Sequence, residues 1–223
     1  MPIVNWLTFS IFKNHPVTAA ISVRGRDVKT EWSQMADELG FSRIAQLRQV
    51  HGSTVKRVCD HSHPPYERAD ALITDTPGLL LLVRVADCAA VFLFDPVRRA
   101  IALIHAGWKG LASGIIHSAV SAMGQDFGSD PSRLLVSVGP SLGPCCASFT
   151  NPEEELPGRF HAFIREEKRV DLWAIIRDQL DQCGIRESRC EFIEKCTVCN
   201  PNYYYSHRRK DEARMGAFLG LTP

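Results

Sequence analysis

Three closely spaced apolar segments constrain the fold of this chain more than any other feature of its sequence. They read LLLLVRV at 79–85, AAVFLF at 89–94 and AIALIH at 100–105, and the turn Asp95-Pro96 precedes the last of them. The first is almost continuously apolar, as expected of a strand that is buried on both faces. The three segments therefore predict a sheet at the centre of the molecule.

The rest of the chain alternates between strand-like and helix-like patterns. Further strands are predicted at 44–50, 54–58, 69–74, 134–138 and 192–193, and helices at 30–39, 107–123 and 171–182. The segment HSHPPYE at 61–67 is predicted to be a loop, because its tandem prolines interrupt both kinds of element. Residues 1–223 are thus expected to form a single domain of the mixed α/β or α+β class.

Composition and charge argue against several classes of protein. Of the 223 residues, 45% are hydrophobic and 23% are charged, which is typical of a globular protein rather than a disordered, collagen-like or coiled-coil chain. The 26 Lys and Arg against 25 Asp and Glu leave a net charge of +1, without the basic excess of a nucleic-acid-binding protein. No apolar run reaches the roughly 20 residues that span a bilayer, and no signal peptide is recognisable. We therefore expect a cytoplasmic protein with neither a membrane nor a nucleic acid as its partner.

The eight cysteines are expected to be reduced thiols, because the chain is long and shows no secretory signal. A functional cysteine is then a metal ligand or a nucleophile. Cys196 and Cys199 form a CxxC pair, but without a second pair at zinc-finger spacing they support a structural zinc site only weakly. The adjacent Cys145 and Cys146 lie in a turn rich in Gly and Pro, where they either line a pocket or are small buried residues.

Three short motifs each place a metal-binding side chain where a strand gives way to a loop. His51 lies in RQVHG, Cys88 in RVADC and His105 in LIHAGWKG, at separations of 37 and 17 residues. These separations are too long for a local zinc finger, but they suit ligands from neighbouring strands of one sheet. Two imidazoles and one thiolate would suit Zn²⁺ with a fourth position open to water or substrate. On spacing alone, a turn histidine, a small buried cysteine and a strand histidine are the alternative interpretation.

Five longer motifs, in the same order along the chain, resemble those of the YfiH family. They are RQVHGSTV, ADALITDTPGLLLLVRVADCAAVFLFDP, AIALIHAGWKGL, VSVGPSLGPCC and CTVCNPNYYYSHRRKDEARM, and the resemblance extends from about residue 44 to the C-terminus. Proteins of this family are described as multicopper polyphenol oxidases or laccase domain proteins, and also as purine nucleoside phosphorylases and adenosine deaminases. This chain departs from the family twice. Lys109 follows HAGW where Arg is usual, and ISVRGRDV at 21–28 replaces a Gly-Gly-Val-Ser type of element.

The resemblance implies that His51, Cys88 and His105 hold a zinc ion, with copper as the alternative metal. Asp87 and backbone carbonyls are candidates to accept hydrogen bonds from the ligand histidines. The family fold resembles that of a cysteine-hydrolase-like superfamily, with a central mixed sheet or sandwich flanked by helices. By that analogy Cys88 would be a nucleophile activated by His105. Metal coordination would occupy the thiolate, however, so we expect Cys88 to be a ligand.

Five cationic residues are candidates to contact phosphate or ribose, namely Arg48, Lys109, His207, Arg208 and Arg209. The alternative for each is a solvated surface charge. Arg48 and Lys109 are favoured because each is close in sequence to a proposed ligand. Lys109 keeps the charge of the usual Arg but lacks its bidentate geometry for binding an anion.

The resemblance implies a zinc-dependent purine nucleoside phosphorylase that uses phosphate and adenosine, inosine, guanosine or methylthioadenosine, with adenosine deaminase as an additional activity. The deaminase signature of His-x-Glu with Pro-Cys-x-x-Cys is missing from the sequence. A laccase needs several coppers and many His-x-His pairs, whereas this chain has only His61-Ser62-His63. A peptidoglycan-precursor editing hydrolase and a metal-binding protein without turnover are the remaining alternatives.

Overall fold

A computed structural model of the chain describes residues 6–61 and 67–222. Its strands are β1 (Trp6–Thr8), β2 (Val17–Ser22), β3 (Arg43–Gln46), β4 (Val55–Arg57), β5 (Ala71–Thr74), β6 (Leu79–Val85), β7 (Ala89–Asp95), β8 (Ala100–Ala106), β9 (Leu135–Val138), β10 (Ile164–Arg165), β11 (Arg169–Val170), β12 (Cys190–Phe192) and β13 (Met215–Leu221). Its α-helices are α1 (Val28–Glu38), α2 (Trp108–Ala112), α3 (Ile115–Phe127), α4 (Pro152–Glu155) and α5 (Leu172–Gln182). None of these helices is long and apolar enough to cross a lipid bilayer. Most of the loop predicted at 61–67, including His63, lies outside the described residues.

The strands form two mixed sheets and a small antiparallel pair. The five-stranded sheet has the order β1-β2-β13-β6-β3, the six-stranded sheet has the order β12-β9-β7-β8-β5-β4, and β10 pairs with β11. Most neighbours are antiparallel, but β3 and β6, β4 and β5, and β9 and β12 run parallel. The chain passes from the five-stranded to the six-stranded sheet between β3 and β4, and again between β6 and β7.

The two sheets pack face to face between layers of helix. One group of buried side chains fills the space between the sheets, a second lies between the five-stranded sheet and α1, and a third lies between the six-stranded sheet and helices α3 and α5. In β6, Leu79, Leu81 and Val83 face the other sheet, whereas Leu80 and Leu82 face α1. Both faces of this strand are therefore buried, which explains its continuous apolar run. The mixed α/β class and the central sandwich flanked by helices are confirmed.

The helix after β8 and the strands near both ends of the chain differ from the sequence prediction. The single helix predicted at 107–123 is divided into α2 and α3, because Gly114 adopts a left-handed conformation with φ of 80°. The sequence pattern predicts no strand in the C-terminal tail and none before residue 44. Yet β13 lies in the middle of the five-stranded sheet, between β2 and β6. Gly216 and Gly220 weaken the strand pattern of β13.

Candidate metal centre and its cavity

Three connecting segments meet at one end of the two sheets and carry the predicted ligands. Because β3 ends at Gln46 rather than at residue 50, His51 lies in the segment between β3 and β4. Cys88 ends the three-residue connection between β6 and β7, and His105 is the second-last residue of β8. The first two segments cross from one sheet to the other. The prediction that all ligands come from neighbouring strands of one sheet is therefore wrong.

The structure brings the side chains of His51, Cys88 and His105 together. One nitrogen of each imidazole and the sulfur of Cys88 all lie within 4.8 Å of one another. The two imidazole centroids are 4.8 Å apart, and the ring planes are inclined at 77°. This convergence is what a single metal ion requires of three ligands from separate segments.

The backbone at Gly107 passes close to this cluster and leaves room for it. A Cβ atom at this position would lie 2.9 Å from Cys88 Sγ and 3.1 Å from His51 Cδ2. Any other residue would therefore crowd the sulfur and one imidazole. Two nitrogens and one sulfur in such a space fit a zinc ion that keeps a fourth position open.

Asp70 organises the cluster, and the sequence interpretation does not identify it. Its carboxylate is fully buried, and Oδ1 lies 2.9 Å from Nδ1 of His105. The backbone N–H groups of His51 and Gly52 donate to the same carboxylate at 2.8 and 2.7 Å. Burial raises the pKa of Asp70, but hydrogen bonds from His105, Gly52 and His51 outweigh it and lower the pKa overall. Because Asp70 accepts from Nδ1, the Nε2 of His105 is left for Cys88 or a metal.

Electrostatics favour a thiolate at Cys88 and a protonated imidazole at His105 in the metal-free protein. Burial raises the pKa of the Cys88 thiol, but hydrogen bonds from His105 and His51 outweigh this effect and lower the pKa to about 6. Burial likewise lowers the pKa of His105, but Asp70 and Cys88 raise it to about 9. Cys88 is therefore largely ionised at neutral pH, which is the form in which cysteine binds metals.

Asp87 is tied to the C-terminal segment, not to the histidines it was expected to orient. Its Oδ1 accepts a hydrogen bond from Thr197 Oγ1 at 2.6 Å, and its Oδ2 accepts one from the backbone N–H of Arg208 at 2.7 Å. Asp87 also has a positive φ of 82° in the tight connection before Cys88. Asp70, rather than Asp87 as predicted, accepts the hydrogen bond from His105.

A cavity of about 680 Å³ opens over the cluster, which is a usual size for a small-molecule site. Its described lining contains six Lys or Arg residues and a single acidic residue, Asp87. The six are Lys29, Arg48, Arg84, Lys109, Arg208 and Arg214. This excess of positive charge favours an anionic ligand.

Four of the five predicted anion-binding residues lie in this lining. Arg48, Lys109 and His207 are exposed there. The side chain of Arg208 is engaged elsewhere, because its guanidinium donates to the hydroxyl and carbonyl oxygens of Ser148 at 2.8 and 2.7 Å. Arg48 and Lys109 are thus better placed to reach a ligand than Arg208.

Arg209 is the fifth candidate, and its contacts are structural. Its guanidinium donates to the carbonyls of Val198 and Tyr204 at 2.9 and 2.6 Å and pairs with Asp211 at 2.7 Å. It is not among the described residues that line the cavity. These bonds fix the C-terminal segment and leave little capacity for a ligand.

Three cations of the lining, Lys29, Arg84 and Arg214, are not identified from the sequence. Arg84 carries the clearest signal that could have revealed it, because it is the one charged residue in the apolar run of β6. Lys29 lies outside the five motifs, whereas Arg214 lies in the fifth, where the sequence does not distinguish it from the neighbouring cations. Folding alone brings them to the cavity.

One wall of the cavity is apolar. Trp108, at the start of α2, and Leu172 and Ile176, on α5, all line it. The indole of Trp108 packs edge-on against Phe149, with ring centroids 5.6 Å apart. A flat apolar group could therefore lie against a ring that is already held in place.

Two further cysteine pairs, Cys145 with Cys146 and Cys196 with Cys199, are not part of the described cavity lining. Cys145 and Cys146 are not among the described residues that line the cavity, and Cys145 is exposed. Neither prediction for this pair, a pocket lining or two small buried residues, is therefore correct. The structure instead brings both of them to Cys196 and Cys199.

Comparisons with known proteins agree with the fold and the motifs. A family model described as multi-copper polyphenol oxidoreductase laccase matches residues 17–222. The chain is 31% identical over 223 residues to purine nucleoside phosphorylase YlmD of Geobacillus stearothermophilus, covering 87% of this chain and 78% of that protein. It is 29% identical over 192 residues to purine nucleoside phosphorylase YfiH of Escherichia coli, covering 81% of this chain and 74% of that protein.

The same likeness extends to three dimensions. The crystal structure of YlmD from Geobacillus stearothermophilus matches this fold with a TM-score of 0.88 at 26% identity, over 100% of this chain and 98% of that chain. The resemblance indicated by the five sequence motifs is therefore confirmed in sequence and in fold.

Proposed function

The chain belongs to the YfiH family, described as multi-copper polyphenol oxidoreductase laccase, and from this membership we propose that it is a metal-dependent purine nucleoside phosphorylase. Two relatives that carry this activity in their names are 29% and 31% identical to it. The observation that carries the proposal is that the ligand cluster and the cationic lining share one cavity. Phosphorolysis requires an anion site next to a group that can polarise the reacting molecules.

His51, Cys88 and His105 would hold the metal, and we propose zinc because two imidazoles and one thiolate suit it. When bound, the ion supplies Lewis-acid polarisation at its open position. Laccase chemistry is disfavoured because the metal-capable groups among the described residues are this cluster and a set of four cysteines. Neither group has the several histidines that a copper cluster requires.

Arg48 and Lys109 are proposed to bind phosphate. Both side chains are exposed in the cavity lining, and each follows or precedes a ligand by only a few residues. Charge-assisted hydrogen bonds from such groups to phosphate oxygens are about twice as strong as neutral ones. They would hold the nucleophile beside the metal centre.

The purine base is proposed to lie against the apolar wall of Trp108, Leu172 and Ile176. A heteroaromatic ring that stacks on an indole gains from both area burial and ring geometry. This placement would leave the ribose between the base and the phosphate. The anomeric carbon would then face the attacking oxygen.

The proposed reaction is an exchange at C1′ of the ribose. A phosphate oxygen forms a bond to C1′ while the bond from C1′ to N9 breaks. The electron pair of that bond leaves with the purine, which takes up a proton from phosphate or water. The cationic lining would stabilise the negative charge that develops on the departing base.

A nucleoside panel with and without phosphate tests this proposal. The zinc-loaded protein is incubated with inosine, adenosine, guanosine and methylthioadenosine, and free base and sugar phosphate are measured. We expect base release that depends on both phosphate and metal. Ammonia release from adenosine without phosphate would instead show deamination. Oxidation of a phenol by a copper-loaded protein would show laccase chemistry and contradict the proposal.

The phosphate site is tested by Lys109→Ala. Loss of one charge-assisted hydrogen bond should raise the KM for phosphate by about 10- to 150-fold, because such a bond contributes about 1.5–3 kcal/mol. The KM for the nucleoside should change much less. Lys13→Ala, which removes an exposed lysine outside the cavity lining, is the matched control and should leave both values unchanged. Equal phosphate KM values in the two variants would exclude Lys109 from the phosphate site.

A further inference from the structure

Four cysteines from two distant segments converge on the side of the molecule next to the cavity. Cys145 and Cys146 follow β9, whereas Cys196 and Cys199 follow β12. Their four sulfur atoms all lie within 4.8 Å of one another. Cys199 Sγ is 3.6 Å from Cys145 Sγ and 3.5 Å from Cys146 Sγ.

These separations match metal coordination better than disulfide bonding. A disulfide requires an S–S distance of about 2.05 Å. Four sulfurs bound tetrahedrally to one Zn²⁺ at about 2.3 Å lie about 3.8 Å from each other. The two measured distances to Cys199 are close to that value.

The two cysteine-bearing segments pack closely at Gly143 and Cys196. A Cβ atom at Gly143 would lie 3.0 Å from Cys196 Cβ and 3.1 Å from the ring of Trp173, so a larger residue here would force its neighbours to shift.

Hydrogen bonds join the two cysteine-bearing segments around the cluster. Ser141 and Cys196 form an isolated parallel bridge, in which the Thr197 N–H donates to the Ser141 carbonyl at 3.0 Å. The guanidinium of Arg209 donates to the carbonyl of Val198 at 2.9 Å, and that of Arg169 to the carbonyl of Cys145 at 3.2 Å. These contacts hold the backbone around the cluster, and each guanidinium is also paired with a carboxylate, Arg169 with Glu167 and Arg209 with Asp211.

We propose that Cys145, Cys146, Cys196 and Cys199 bind one Zn²⁺ as a second, structural metal site, separate from the centre at Cys88. Four cysteine ligands in a closed tetrahedron are typical of structural zinc. Binding removes the proton of each thiol to solvent, so the cluster carries two net negative charges.

The proposed site would position one wall of the cavity. Thr197, between the two cysteines of the CxxC pair, donates its hydroxyl to Asp87 at 2.6 Å. Asp87 in turn accepts from the backbone N–H of Arg208 and immediately precedes Cys88. A metal that fixes the segment around Thr197 would therefore also fix the connection that carries Cys88.

Zinc stoichiometry by native mass spectrometry and elemental analysis tests the proposal without reference to activity. The wild-type protein, purified under reducing conditions with zinc, should hold two ions. The double variant Cys146→Ser with Cys199→Ser should hold one, whereas the control Cys183→Ser, at a half-buried cysteine outside both clusters, should hold two. A double variant with two zinc ions would overturn the proposal.

A second measurement applies even if the double variant does not fold. Cys88→Ala removes a ligand of the other centre and leaves all four cysteines in place, so it should still bind one Co²⁺ with the intense sulfur-to-metal absorption of a tetrahedral four-sulfur site. The absence of that absorption would refute the site. Two other results would also refute it. One is bound iron that absorbs visible light, and the other is a protein mass lower by two hydrogens because Cys199 has formed a disulfide. A wild-type protein with this cobalt site but no phosphorolysis would refute only the proposed function.

Discussion

Asp70 shows how single residues determine the candidate metal centre. Its buried carboxylate orients His105 through Nδ1 and accepts two of the N–H groups in the turn that carries His51. One side chain thus connects two ligands that are 54 residues apart in sequence, since Asp70 lies 19 residues after His51 and 35 before His105. The motifs indicate the three candidate ligands because their side chains are of types that bind metals. Asp70 also stands in one of these motifs, ADALITDTPG, but its hydrogen bonds to residues 19 and 35 positions away follow only from the fold.

Asp70→Asn should weaken metal binding and the fold together. The neutral amide cannot replace the carboxylate at both His105 and the turn, so we expect a 10–100-fold loss of zinc affinity, roughly as found for such outer partners of metal ligands. The free energy of unfolding should fall by about 2 kcal/mol, because buried N–H groups lose their acceptor. Competition with a chelator and urea unfolding measure the two effects. Asp75→Asn, at an exposed carboxylate, is the control, and equal zinc affinities in the two variants would exclude this role.

Cys88 should react faster than Cys183, which is also half-buried, with iodoacetamide in the chelated protein at pH 7. With a pKa of about 6 it is largely thiolate at this pH, whereas Cys183, whose pKa burial raises to about 11, is not. Alkylation of Cys88 should slow as the pH falls through about 6, because protonation removes the nucleophile. Zinc should protect it. Peptide mass spectrometry measures each site separately, and equal rates at both cysteines would contradict the predicted ionisation.

At the scale of elements, the long and nearly continuous apolar strands could be predicted, whereas β2 and the glycine-containing β13 could not. The runs of β6, β7 and β8 are nearly continuous in apolar residues, so their strand character is visible in the sequence. In β13, the glycines make close packing possible, since a Cβ at Gly216 would lie 2.6 Å from Val28 and one at Gly220 would lie 2.7 Å from Phe41. The same glycines weaken the strand pattern in the sequence, because they have no side chains. The side chains that pack at these positions belong to neighbouring residues instead.

Gly216→Ala tests the importance of this close packing. The added methyl group would meet Val28 and the ring of Phe218, so we expect the free energy of unfolding to fall by about 1–3 kcal/mol, as for other overpacked cores. Gly158→Ala is the matched control, because no atom lies within 4 Å of its added Cβ. Urea unfolding measures both variants. A Gly216→Ala protein as stable as Gly158→Ala would mean that α1 packs less closely on β13 than described.

At the scale of the whole molecule, the candidate metal centre depends on the connections between the two sheets. The segments that carry His51 and Cys88 both pass from one sheet to the other, and β8 adds His105 from the six-stranded sheet. The sequence motifs indicate which residues lie at strand ends, but not which sheet each strand joins. The cationic lining is assembled in the same way, with Lys29 from α1 and Arg214 from the segment before β13. The motifs therefore indicate candidate ligands, whereas the sheet to which each strand belongs, and with it the presence of Lys29 and Arg214 at the cavity, could not be predicted.

The most direct test of the proposed function is ³¹P NMR of the zinc-loaded protein with inosine and inorganic phosphate. We expect the phosphate signal to decrease while a sugar-phosphate signal appears in equal amount to the free base. Cys88→Ala, which removes a proposed ligand, should abolish this conversion. Release of base or ammonia by the wild-type protein with no phosphate incorporated would contradict phosphorolysis, and so would an unchanged spectrum from protein whose zinc at His51, Cys88 and His105 has been verified.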